Sequence, residues 1–177
     1  MRGLHRIALR GLKEGDHLFD FKIDSKFFAF FEKSEIHEAE LTATVRLLRH
    51  SSHIEMKIVM VGSVSLTCDR CLEPYSQQIS TDDTIIIKFG DHWEEVDDEV
   101  IIMPRGENEF VLDQLFYEFA HLGLPLKKVH PDDENGRSTC NPEMLEKLNQ
   151  HMVKDSKSRN EPYMEEFSKL KNINNQN

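Results

Sequence analysis

A chain of 177 residues that is 38% hydrophobic and 31% charged, with a mean hydropathy of -0.54, has the composition of a folded, water-exposed domain and excludes a disordered chain. No apolar run approaches the roughly 20 residues needed to cross a bilayer, and the amino terminus MRGLHRIALRGLKEGD lacks the apolar core of a secretory signal, so a cytoplasmic protein without membrane association is expected. The formal net charge of -10 arises in one region, since Ser80 to Leu126 holds twelve acidic residues against Lys88 and Arg105; this argues against a surface that wraps nucleic acid and suits either a basic partner or a solvated acidic loop that keeps the protein soluble.

In chain order, IALRGLKEGDHLFDFKID reads as two short strands around a Gly-containing connection, with Ile7, Leu9, Leu18, Phe19 and Phe21 as its apolar positions. Asp24 or Ser25 can then cap a short helix. In that helix Phe27, Phe30 and Phe31 share one face beside Phe28, and the face is expected to meet the core. From Ala39 the apolar period changes to two. Leu41, Ala43, Val45 and Leu47 alternate with Thr42, Thr44, Arg46 and Leu48. After the polar break RHSSH, Ile54, Met56, Ile58 and Met60 alternate in turn and run on through Val64 and Leu66. The pattern predicts a long antiparallel hairpin whose second strand delivers the chain to Cys68.

YSQQISTDDTIIIKFG predicts another strand, and DHWEEVDDEVIIMPRGENEF reads as an acidic loop with a short strand at Val100 to Met103. Leu112, Leu115, Phe116 and Phe119 then fall at helical spacing, with Gly123 and Pro125 ending the helix. Beyond Leu126 the chain turns polar. Asn135-Gly136 signals a turn, Asn141 is a candidate N-cap with Pro142 at the first helical position, and Met144, Leu145, Leu148 and Met152 line the helix. The expected fold class is α+β: an antiparallel β-sheet with a long central hairpin, packed by a few short helices. One domain is expected over residues 1–153. Residues 154–177 are expected to form a flexible tail, with a short helix near Asn160 and a disordered NINNQN end.

The sequence TCDRCLEPY holds Cys68 and Cys71, two of only three cysteines. In a reducing compartment such a pair points to soft-metal binding, to thiol redox chemistry, or to plain buried thiols. A redox pair of the thioredoxin kind opens a helix within a strand-helix-strand unit, whereas here extended sequence flanks the pair and Pro74 follows closely. A closed tetrahedral zinc site needs four ligands, and Cys140, ten residues after His130 in a polar loop, completes a set of Cys68, Cys71, His130 and Cys140. Zinc as a structural cofactor is the expectation we carry forward. A position just ahead of a helix start also favours the Cys140 thiolate. Arg70, between the paired cysteines, is either an anchor for an anion or a surface residue pairing with Asp69 or Glu73.

There is no phosphate-binding glycine loop, no Gly-x-Ser-x-Gly, no His-Glu-x-x-His and no dinucleotide fingerprint, and no catalytic residue is assigned. Glu94, Glu95, Asp97 and Asp98 are candidate binding residues within the acidic run. A charge run lacks the separated environments that acid-base catalysis requires.

LTCDRCLEPY, LDQLFYEFAHLGLPL and HPDDENGRSTCNPEML, in that order and spacing, resemble the YceD family of bacterial and plastid proteins. Cys68, Arg70, Cys71, Leu124 and Pro125 are the matching motif positions; His130 and Cys140 rest on the ligand argument alone. The resemblance implies a non-catalytic role in 23S ribosomal RNA accumulation and large-subunit assembly. Combined with the charge, it leads to the expectation that the acidic region meets a ribosomal protein or another basic assembly factor, with ribosomal RNA associated indirectly. An RNA-processing hydrolase using the acidic cluster with a divalent ion and a metal- or redox-responsive regulator built on Cys68 and Cys71 are the competing readings.

Overall fold

The computed structural model describes residues 3–151. A first compact unit ends at Cys140 and a second begins at Asn141. The expected end of the domain at 153, Met152 and the tail with its short helix lie outside the described residues.

The first unit is built on a six-stranded sheet. Strands β2 (Gly15–Asp24), β3 (Glu38–Arg49), β4 (His53–Thr67) and β5 (Pro74–Gly90) follow one another as an antiparallel meander. The chain then runs out through β6 (Glu94–Asp97) and returns as β7 (Val100–Pro104), which slots between β5 and β6 in the order β2-β3-β4-β5-β7-β6. β7 is parallel to β5, pairing Ile86 with Val100, and antiparallel to β6, pairing Glu94 with Ile102. A separate two-stranded ribbon joins β1 (Arg6–Ala8) to β8 (Glu109–Val111).

The predicted hairpin is β3 and β4, in register from Glu38 opposite Ser65 to Arg49 opposite Ile54. Its alternation sends Leu41, Ala43, Val45 and Leu47 of β3, and Ile54, Met56, Ile58, Met60, Val64 and Leu66 of β4, to the interior. Each fully buried side chain of this size contributes roughly 1.5–3 kcal/mol by leaving water. Slipping the register by one residue would put Thr42, Arg46 and Lys57 in their place, so the pattern fixes the pairing. Gly62 on β4 has φ +146, and a side chain there would overlap the Glu40 carbonyl and approach Leu41 Cα at 2.9 Å.

Two helices of this unit follow. In α1 (Ser25–Phe28) the Asp24 carboxylate accepts from the Lys26 and Phe27 amides, the predicted cap. The helix is a single turn, shorter than expected. Phe27 and Phe28 are buried, but Phe30 is 54% exposed and does not share their face, because the chain leaves helical geometry before it. Helix α2 (Asp113–Leu122) buries Leu115, Phe116 and Phe119, with Gly123 as its C-cap, as the spacing predicts. Asp113 at its first turn accepts from the amides of Leu4 and His5 and from His5 Nδ1, which seats β1 beside the helix start.

The acidic stretch departs from expectation. Glu94, Glu95 and Asp97 do not lie in a loop; they form the edge strand β6, with β8 a few residues further on. Alternation is a poor signal there because the burial pattern of β6 is exposed at all four positions. In the second unit, Asn141 accepts from the Glu143 and Met144 amides at the start of helix α3 (Pro142–His151), the predicted cap. Among the described residues no helix is long and apolar enough to cross a membrane.

Candidate metal centre and acidic groove

Cys68 to Glu73 form the turn between β4 and β5. The Cys68 amide donates to the Glu73 carbonyl at 2.9 Å, the Leu72 amide donates to the Cys68 carbonyl at 2.9 Å, and the Arg70 amide points at Cys68 Sγ at 3.5 Å. This tight knuckle forces Leu72 to φ 61, a left-handed conformation that a branched side chain adopts at a cost of roughly 1–2 kcal/mol. The turn aims both sulfurs at one point, as a Cys-x-x-Cys pair must to share an ion.

A second, distant segment comes to the same point. Asp69 and Lys128 exchange hydrogen bonds: the Asp69 amide donates to the Lys128 carbonyl at 2.6 Å and the Lys128 amide donates to Asp69 Oδ2 at 2.9 Å. The Lys128 ammonium pairs with Glu35. Downstream, the Asn135-Gly136 turn closes as predicted, with the Gly136 amide on the Asp133 carbonyl at 2.9 Å, and the bridge between Asp132 and Ser138 carries the chain back to Cys140.

Cys68, Cys71, His130 and Cys140 therefore meet, each offering one ligand atom within 4.8 Å of all the others. Cys68 Sγ lies 3.7 Å from Cys140 Sγ, Cys71 Sγ lies 3.4 Å from His130 Nδ1, and Cys140 Sγ lies 3.8 Å from His130 Nδ1. A regular tetrahedron with metal–sulfur bonds of about 2.3 Å and a metal–nitrogen bond of about 2.0 Å has edges of about 3.8 Å between sulfurs and about 3.5 Å between sulfur and nitrogen. The observed edges fit. They do not fit a disulfide, whose sulfurs sit about 2.05 Å apart, and all three cysteines are free.

The electrostatics favour a thiolate. Burial alone pushes the Cys68 thiol up, for the residue is 0% exposed, but the amides of Cys71 and Arg70 and the side chain and backbone of His130 outweigh it and bring the thiol down to about 6. Cys71 and Cys140 are buried as well, at 2% and 5% exposure, while His130 is half-buried against the Tyr75 ring. Three thiols and one imidazole in a shielded pocket are a donor set suited to zinc. The sequence pattern missed the Asp69–Lys128 and Lys128–Glu35 contacts, which hold the loop independently of any ion.

The Arg70 backbone amide belongs to the knuckle, and its Nε is shielded from solvent with no hydrogen-bond partner.

Glu94, Glu95, Asp97 and Asp98 line a groove of about 1380 Å³, together with Glu107 between β7 and β8, Glu109 of β8 and Glu118 of α2. Among the described residues no Lys or Arg lines it. Arg6 pairs with Glu109 at 3.2 Å, and His92 with Glu94 at 3.3 Å. Apolar side chains line it as well, among them Trp93, 49% exposed, and Leu122, 73% exposed. Asp82, at the start of the acidic region, belongs elsewhere, paired with Lys57 at 3.0 Å.

Residues 56–174 match the model of a family described as Large ribosomal RNA subunit accumulation protein YceD. The match spans more than half of the chain and includes all four cysteine and histidine ligand candidates and the acidic edge strand. No curated protein and no solved structure matches the chain.

Proposed function

The chain belongs to the YceD family, and from that membership we propose that it is a non-catalytic cytoplasmic factor supporting 23S ribosomal RNA accumulation and large ribosomal subunit assembly. It does so by presenting the acidic groove to a basic partner, a ribosomal protein or another assembly factor. The observation that carries this reading is the groove itself: among the described residues it is lined by seven carboxylates and several apolar side chains, and by no Lys or Arg. Phosphate chains are repelled by such a surface, whereas a Lys- and Arg-rich segment is steered to it and can lay apolar side chains beside Trp93. Ribosomal RNA is then reached through the partner.

Zinc held by Cys68, Cys71, His130 and Cys140 has a structural part in this reading. It supplies a four-coordinate closure that pins the loop after α2 to the β4–β5 turn. The family's description names accumulation and no reaction.

The test is complementation. Cells lacking the chain are expected to accumulate less 23S than 16S ribosomal RNA, and the wild-type chain to restore the ratio. A variant with Glu94, Glu95, Asp97 and Asp98 all changed to Lys is expected to fold, to fail in restoration and to lose its partner in pull-downs at low salt. Full restoration by that variant contradicts the groove reading, and magnesium-dependent cleavage of precursor RNA by the purified chain contradicts the non-catalytic one.

A further inference from the structure

The tip of the β3–β4 hairpin holds a second constellation of metal-ligand chemistry, remote from the cysteine cluster. The two lie at opposite ends of β4, separated by on the order of 40 Å of extended chain. His50 and His53 flank the turn of Ser51 and Ser52, closed by the His50 amide on the His53 carbonyl at 2.9 Å. Their rings stack at 4.4 Å and 19°, and the Nε2 atoms of both approach the same carboxylate oxygen, so an ion shared in both ring planes requires one ring to turn out of the stack. Glu55, two residues along the strand from His53, puts its Oε1 3.3 Å from each of those nitrogens.

Three details set the trio apart from a plain histidine–carboxylate hydrogen bond, which His53 Nε2 does make to Glu55 Oε1 at 3.3 Å. His50 Nε2 is shielded from solvent, yet it has no hydrogen-bond partner even though Glu55 Oε1 is 3.3 Å away. Second, His53 Nδ1 contacts Ser52 Oγ at 3.0 Å. That contact orients the ring and leaves Nε2 facing inward, as outer hydrogen bonds do for metal-bound histidines. Third, 3.3 Å is the edge of a tetrahedron whose centre lies about 2.0 Å from each ligand, the bond length of imidazole nitrogen and carboxylate oxygen to zinc.

We propose that His50, His53 and Glu55 form a second metal site, one that takes a borderline divalent cation such as zinc through two imidazole nitrogens and one carboxylate oxygen. Three protein ligands leave a coordination position open to water or to a donor from a binding partner, unlike the closed cysteine cluster. The ion satisfies His50 Nε2 and clamps the turn that sets the register of the hairpin. The opposing charge on this face is Lys88, which stands opposite His53 in the β4–β5 register and is exposed.

Zinc bound per full-length chain, measured by equilibrium dialysis across the micromolar range of free zinc, tests this. His53→Ala and Glu55→Gln are each expected to bind one zinc fewer than wild type, whatever the cysteine cluster holds. Ser52→Ala should weaken that equivalent about tenfold or more, and Lys88→Gln should tighten it. Cobalt at this site should give a visible spectrum without a thiolate charge-transfer band. Identical zinc content in wild type, His53→Ala and Glu55→Gln overturns the proposal. Because the readout is a difference between variants, it is independent of the cysteine cluster and of ribosomal RNA levels.

Discussion

Removing the ion from the cysteine cluster should destabilise the first unit by an amount set by the loop that the cluster closes. Cys68 and Cys140 are 72 residues apart in sequence, and Cys71 and His130 are 59 apart. Cross-linking residues at that separation withdraws about 4 kcal/mol of entropy from the unfolded chain, by the relation used for disulfides and applied to metal clips. Chelation returns that entropy, and the native thiols lose their common partner. The two hydrogen bonds between Asp69 and Lys128 remain, at about 0.5–1.5 kcal/mol each, so the loop loosens without the sheet coming apart. For a protein of this size the loss corresponds to a drop in Tm of about 8–16 °C. The assay is thermal unfolding followed by circular dichroism, with and without chelator, on protein whose zinc content is measured in parallel. Cys140→Ser is expected to melt near the chelated wild type and to be insensitive to chelator. A wild type that loses its zinc and melts within a degree of the loaded protein would refute the reasoning, as would a Cys140→Ser variant as stable as the loaded wild type.

Gly62→Ala should cost about 2–4 kcal/mol in urea unfolding, since the added methyl meets the Glu40 carbonyl in a backbone conformation that alanine avoids; a cost under 1 kcal/mol would contradict the close approach of β3 and β4. At Leu72, which is 67% exposed, Gly relieves the left-handed strain while adding freedom to the unfolded chain, so Leu72→Gly should unfold within about 1 kcal/mol of wild type and Leu72→Val should be clearly weaker. Equal stability of the Gly and Val variants would show that the knuckle is not strained. Burial raises the Asp83 carboxyl above its ordinary value on the inner side of β5, so the folded state is penalised once the group ionises. Asp83→Asn should therefore raise Tm at pH 7, and the gain should vanish below about pH 4, where the carboxyl is protonated in both states. A gain that grows on acidification would reverse the sign of the argument.

Elements with one buried face were the most legible in the sequence. The alternation from Leu41 to Leu66 places every inward residue of the central hairpin, because period-two burial and strand pairing are the same constraint. The cysteine cluster was legible for a different reason: with only three cysteines in the chain, counting gave the thiols, and the placement of His130 ten residues before Cys140 gave the imidazole that the fold brings to them. The edge strand β6 was not legible, since a strand with all four residues exposed carries no apolar rhythm and is formed by pairing with Val100 to Ile102. Phe30 misled because helical spacing presumes that the helix continues, and α1 stops at Phe28. RHSSH read only as a turn; that His50, His53 and Glu55 converge depends on ring orientation, which spacing does not encode.

X-ray absorption at the zinc edge of the purified full-length chain tests the central claim most directly, using the His53→Ala variant so that only the cysteine cluster contributes. The account predicts one zinc per chain surrounded by three sulfurs at about 2.3 Å and one nitrogen at about 2.0 Å. A shell of oxygen and nitrogen without sulfur, or protein that retains no zinc, would contradict it.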